Sequence, residues 1–114
     1  MKLAHSSDVT KVPVQMEGAK GTQIQWLIGK EDGAPNFAMR LFELGPGGHT
    51  PLHAHPHEHE VFVLEGTGIV MDEGTERSIG PEDAIFVPGG CEHNFRNTGD
   101  SVLRFLCLIP ASAC

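Results

Sequence analysis

The sequence predicts an all-β fold of short antiparallel strands, and three observations carry that reading. Apolar runs of roughly four to eight residues recur between clusters rich in Gly and Pro. Nowhere does an i, i+3, i+4, i+7 apolar stripe persist long enough to make an amphipathic helix. The chain also holds 14 Gly and 8 Pro in 114 residues, a content that suits frequent turns and opposes helices. Strands spaced about 8–12 residues apart imply a sandwich or small barrel, and a jelly roll or closed barrel also removes exposed strand edges.

In chain order the expected strands are Thr22–Ile28, Phe37–Leu44, His53–His55, His59–Leu64, Thr67–Met71, Glu76–Ile79, Ala84–Val87, His93–Asn97 and Val102–Ile109. Their separators carry turn chemistry: Glu31-Asp32-Gly33-Ala34-Pro35, Gly45-Pro46-Gly47-Gly48, Asp72-Glu73-Gly74-Thr75, Gly80-Pro81 and Val87-Pro88-Gly89-Gly90. There is no internal repeat and no linker, so residues 1–114 read as a single domain, the usual size for one core. Residues 1–10 are expected to be mobile or to pair with a neighbouring subunit.

A formal net charge of −7 opposes a nucleic-acid or anionic-membrane partner. The N-terminal MKLAHSSDVTKVPV has no continuous apolar core, and no later run approaches the ~20 apolar residues of a membrane helix. Cys91, Cys107 and Cys114 are odd in number and form no C-x-x-C, which suits free thiols in a reducing compartment. A cytoplasmic protein acting on a small-molecule substrate is the expectation.

The chemistry-bearing signal is HTPLHAHPHEH, residues 49–59. His53 and His55 alternate along a strand, so both point to one face with Cα atoms roughly 6.6 Å apart, and two such imidazoles can share one metal at about 2.1 Å. Pro56 interrupts pairing, and His59 opens a second strand that is expected to face His53 and His55 across a hairpin. His49 and His57 fall in connections and read as loop residues, and His5 lies apart in a polar segment.

The run Gly47-x5-His53-x-His55-x3-His59-x6-Gly66 resembles the first motif of the cupin family, G-x5-H-x-H-x(3,4)-E-x6-G. Cupins usually carry Glu where this chain has His59, and Glu60 also meets the looser spacing; the distance to Gly66 favours His59. The second motif, G-x5-P-x-G-x2-H-x3-N, is similar to the stretch from Glu82 through Pro88, Gly90 and His93 to Asn97, with Glu82 in place of the first Gly. The resemblance implies a cupin double-stranded β-helix, a jelly-roll barrel, with His53, His55, His59 and His93 as metal ligands. More narrowly, the chain is similar to the small single-domain four-histidine cupins of about this length, which are dimers and bind manganese. That implies one divalent ion per chain, Mn first, with Fe, Zn, Ni or Cu compatible with imidazole donors, and a homodimer.

Four neutral imidazoles leave a divalent ion its full +2 charge, which favours Lewis-acid or redox chemistry on an oxygen-bearing ligand. Alternation places Val61 and Val63 on the face of His59 and Phe95 on the face of His93, as an apolar substrate pocket. Phe105 and Cys107 share a face of the last strand, and Arg40, if inward, could anchor a substrate carboxylate. The expected function is a metal-dependent oxidoreductase, dioxygenase-like or peroxide-using, acting on a small organic molecule. The alternatives are a non-redox isomerase or lyase on a sugar acid, and a non-catalytic binding module.

Overall fold

In a computed structural model describing residues 1–114, nine strands form one antiparallel sheet that curls on itself. They are β1 (Val12–Pro13), β2 (Lys20–Ile28), β3 (Phe37–His49), β4 (His59–Glu65), β5 (Gly68–Asp72), β6 (Thr75–Ile79), β7 (Ala84–Val87), β8 (His93–Asn97) and β9 (Leu103–Pro110). Neighbours run β6-β5-β8-β3-β9-β4-β7, while β2 pairs with β3 and β1 with β2. The helical elements are three short 3-10 turns, and no helix is long and apolar enough to cross a membrane. The all-β jelly-roll barrel read from turn spacing is the fold observed.

Besides the short unexpected strand β1, two elements differ from expectation. The Gly45-Pro46-Gly47-Gly48 run, read as a turn, lies inside β3. Thr22 pairs with Leu44 but Lys20 with His49, so a step of two residues on β2 meets five on β3 in a wide bulge. Gly47 takes φ +78° there, and a Cβ on Gly48 would sit 2.8 Å from the carbonyl oxygens of Gly21 and Gly45. The glycines let β3 swing away from β9 and reach β8, where His49 pairs with Arg96.

The second difference is the expected strand His53–His55, which shrinks to one bridge between His53 and His93. Pro51 and Pro56 have no N–H to donate, so the segment cannot extend a ladder. Its partner is β8 rather than β4: His53 N–H donates to the His93 carbonyl at 3.2 Å, and His93 N–H returns a bond at 3.0 Å. The hairpin expected between this segment and His59 therefore does not form; β4 pairs with β7 and β9.

The first ten residues pack on their own chain, where the Gln25 side-chain amide donates to the Ser6 and Val9 carbonyls at 2.7 and 2.9 Å. Inward residues of β9 (Leu103, Phe105, Cys107, Ile109) meet Val61, Val63, Ala38, Leu44 and Phe95 in the core. Phe105 is central, with ring centroids 4.7 Å from Phe95 and 5.4 Å from Phe42. Phe95, Phe105, Cys107 and Ile109 also reach the cavity that holds the histidines, so the core and the site share a wall.

Glu82, the position that departs from the second motif, adopts φ +70°. Its N–H still donates to the Val63 carbonyl at 2.9 Å, so the turn forms with a left-handed glutamate. That conformation costs an L-residue about 1–2 kcal/mol, and glycine gives back about 0.5–1 kcal/mol in unfolded-state entropy. Glu82→Gly is expected to stabilise the fold by about 0.5 kcal/mol, raising Tm by about 2 °C in a calorimetric scan. A lowered Tm would show that the glutamate side chain contributes a contact worth more than the strain.

Candidate metal centre and substrate cavity

Strand β4 presents its residues alternately, so His59, Val61 and Val63 are buried while Glu60 and Phe62 face outward. That parity puts His59 at the histidine cluster and Glu60 on the opposite face of the strand. His93 opens β8, and its ring Nδ1 lies 2.9 Å from the Cys91 carbonyl oxygen. A carbonyl only accepts, so Nδ1 carries the proton and Nε2 is left with a free lone pair. Two glycines, Gly90 of the motif and its neighbour Gly89, fix the intervening loop. Gly90 N–H donates to the His55 carbonyl at 2.8 Å, and a Cβ at Gly89 would collide with the Pro56 carbonyl oxygen.

The imidazoles converge. His53 Nε2 lies 3.0 Å from His55 Nε2, which lies 3.1 Å from His59 Nε2. The rings of His93 and His59 are 5.1 Å apart between centroids. His53, His55 and His93 bring their ligand atoms within 4.8 Å of one another, as do His55, His57 and His59. The donor set fits a divalent transition ion: nitrogens 3.0–3.1 Å apart match the edge of an octahedron with bonds of about 2.1 Å. A tetrahedron of such bonds would have an edge of about 3.4 Å.

Burial and then the Arg40 charge hold His59 down at about 3, and burial and then His57 hold His55 at about 4, against an ordinary 6.5. His53 and His57 are also lowered, again chiefly by burial. His55 and His59 stay neutral in the fold, the form that ligates, well below the ordinary imidazole range, and His53 and His57 shift the same way. The sign for stability follows. In the unfolded chain the same imidazoles take up protons below about 6.5, and the folded state resists. The metal-free protein is thus expected to keep its full stability above about 6.5 and to lose it progressively as pH falls towards 4. Thermal melts of chelated protein at stepped pH check this; a Tm that is flat or rising on acidification would contradict it.

Around the cluster lies a cavity of about 480 Å³, floored by Phe95 and Phe105 and walled by Trp26, Phe42, Ile109 and Cys107. Arg40 also lines it, inward on β3 opposite Trp26 of β2. Its Nη2 donates to Cys107 Sγ at 3.0 Å and sits 3.3 Å from His59 Nδ1. Cys107 Sγ is 3.2 Å from the same Nδ1, and burial pushes its thiol up. With His59 Nε2 turned to the cluster, Nδ1–H points to this sulfur, which orients the ring.

Of the residues expected in the pocket, Phe95, Phe105, Cys107 and Arg40 line the cavity. Val61 and Val63 do not: they share the face of His59 but lie deeper along β4, in the closed core at 3% and 0% exposure. Sequence reasoning passed over His57, whose ring stacks on His55 with centroids 4.1 Å apart. Its signal was the unbroken alternation of His53, His55, His57 and His59. Trp26 and Ile24 were also missed, because the register that sets β2 beside Arg40 and Phe42 is not written in local sequence.

The cupin domain family model matches residues 40–109, and the chain belongs to the cupin family. Among solved structures it is similar to the polyketide cyclase RemF from Streptomyces resistomycificus, with TM-score 0.92 and 40% identity over 97% of this chain and 80% of that one. Among curated proteins it is 34% identical to an oxalate-binding protein of Thermotoga maritima, over 94% of this chain and 92% of that protein. It is also 41% identical to the 1-methylthio-D-xylulose 5-phosphate methylsulfurylase of Rhodospirillum rubrum over 64% of this chain, but spans only 47% of that enzyme's length.

Proposed function

We propose that this chain is a metal-dependent enzyme that cyclises a small, largely apolar polycarbonyl substrate, with His53, His55, His59 and His93 holding one divalent ion. The observation that carries the reading is the opening of the histidine cluster directly onto an aromatic cavity. The likeness to a polyketide cyclase over 97% of the chain supports it. A bound ion supplies Lewis acidity, polarising a ketone oxygen and acidifying the neighbouring C–H. The barrel contributes shape and dryness: Trp26, Phe42, Phe95 and Phe105 give flat surfaces that hold a chain of ketones folded with its ends close. We take Mn as the first ion, supported by the resemblance to the small four-histidine manganese cupins and by nitrogens 3.0–3.1 Å apart, the edge of an octahedron, although imidazole donors by themselves rank Mn below Zn, Ni and Cu.

An oxidative reaction on a similar substrate is the second reading, supported by the same donor set, which leaves an ion's charge undiminished. Protein stripped with a chelator and reloaded with Zn or Mn distinguishes the two on 1-phenylhexane-1,3,5-trione. Cyclisation joins its terminal methyl carbon to the phenyl ketone carbon and expels one water, giving 5-phenylresorcinol without an oxidant. Both metal forms are expected to make the phenol, and the stripped protein none. Turnover by the Mn form alone with oxygen uptake would replace this reading with the oxidative one. Binding without turnover in any form would leave a binding module.

The homodimer is supported by the apolar outer surface of β4 and β7, where Phe62 is 40% and Phe86 62% exposed. Light scattering tests it, and a monomeric mass overturns it. Free Cys91, Cys107 and Cys114 support a cytoplasmic location.

A further inference from the structure

The four arginines of this chain fall into two kinds. Arg77 pairs with Asp72, Arg96 with Glu76, and Arg104 with Glu65 and Glu43, all within 4.0 Å, and the Nε of Arg96 is itself buried without a partner. Arg40 pairs with no carboxylate, although the chain carries 15 acidic residues and a net charge of −7. Its Nη2 donates to the Cys107 sulfur and lies 3.3 Å from the protonated His59 Nδ1, which cannot accept from it, and its Nε is buried without any partner. A half-buried guanidinium left without an anion is costly, and a protein this rich in carboxylates could have supplied one.

The surroundings show what would complete it. The Arg40 guanidinium carbon lies 5.5 Å from the Trp26 ring centre and 5.0 Å from that of Phe42, so the cation is fixed in place against two aromatic faces. All three residues line the cavity shared with the histidines. An anion entering there meets a planar fork of donors beside flat apolar surface, the chemistry that recognises a carboxylate on an aromatic body.

We propose that this cavity also takes an aromatic carboxylic acid, the kind of molecule a cyclised chain ending in a carboxylate becomes, bound as its anion with the carboxylate on Arg40 and the ring system against Trp26 and Phe42. This rests on the cavity being the substrate pocket, as in the function proposed above, but not on the metal, so it is tested on metal-free protein. A failed cyclisation assay would leave it standing, and its own failure would leave the cyclase reading standing.

The probes are 2-naphthoate and 2-naphthamide, equal in shape and different in charge, titrated by calorimetry with Trp26 fluorescence as a second reading. Trp26 is the single tryptophan but also borders a second hollow beside Lys2 and Lys30, so quenching is assigned to this cavity by its dependence on Arg40. Chelated wild-type protein is expected to bind the acid about tenfold or more tighter than the amide, the usual worth of a hydrogen bond to a charged group. In Arg40→Gln that preference collapses to about unity while amide binding persists; Arg40→Lys, which keeps the charge, retains part of it. Should Arg40→Gln fail to fold, the Arg40→Lys result and wild-type salt dependence decide: added salt must weaken the acid and not the amide. Equal binding of the two probes by wild type, or a preference that survives in Arg40→Gln, overturns the proposal.

Discussion

Alanine at position 59 is expected to abolish divalent-metal binding, whereas alanine at position 60 leaves it nearly unchanged. The two residues are adjacent, and in the family motif either could occupy the position usually held by Glu. Strand parity separates them: His59 is 6% exposed and aimed inward, with Nε2 3.1 Å from His55 Nε2. Glu60 points out, level with Leu108 on β9 and Phe86 on β7, and partial burial and then Glu58 push its carboxyl up. No rotamer change brings an outward strand residue to the inner face, since that would require shifting the register of β4 by one residue. Removing partners that merely orient a ligand already costs about 10–100-fold in affinity, so loss of His59 itself should exceed about 100-fold, with Glu60→Ala within about threefold of wild type. Calorimetric titration with Mn and with Zn measures both. Equal losses, or a larger one at Glu60, would mean that β4 is threaded in the other register.

Much of this arrangement was legible in the sequence because it depends on local periodicity. The inward set of β9, Leu103, Phe105, Cys107 and Ile109, follows from simple alternation; the choice of His59 over Glu60 came from the motif spacing to Gly66, and β4 turns His59 inward. What escaped was set by distant pairing. Gly45-Pro46-Gly47-Gly48 has the composition of a reverse turn, and only the approach of Gly21 against Gly48 shows that the chain bulges and runs on. His53 and His55 lie on one face as alternation requires, yet their partner is His93, some forty residues away in sequence, because prolines on both sides leave room for a single bridge. Arg40 was ambiguous for the same reason. An arginine in an apolar strand is by default a solvated outward charge, and its inward direction became plain only with Cys107 and Trp26 opposite it in register. Turn composition reports where the backbone can bend; pairing decides whether it does.

Gly66→Ala is expected to be the most damaging small substitution in the scaffold, lowering stability by about 3 kcal/mol and Tm by about 12 °C. Two costs act at this position. Gly66 sits at φ +84°, where an alanine pays about 1 kcal/mol of backbone strain. A Cβ there would also run into the Val102 carbonyl oxygen and stand 2.8 Å from Leu103 Cα, both backbone atoms leading into β9. Leu103 is fully buried and pairs with Leu44 of β3, so β9 cannot retreat without opening the core, and overpacking of this kind costs about 1–3 kcal/mol more. Gly74 is the control. It has nearly the same backbone, φ +85°, but nothing within 4 Å of where its Cβ would be, so Gly74→Ala should cost only the strain, about 1 kcal/mol or about 4 °C. Denaturant and thermal unfolding of the two variants measure the difference. If they fell equally, the left-handed backbone alone would account for the motif glycine, and the close approach of β9 would contribute nothing to its selection.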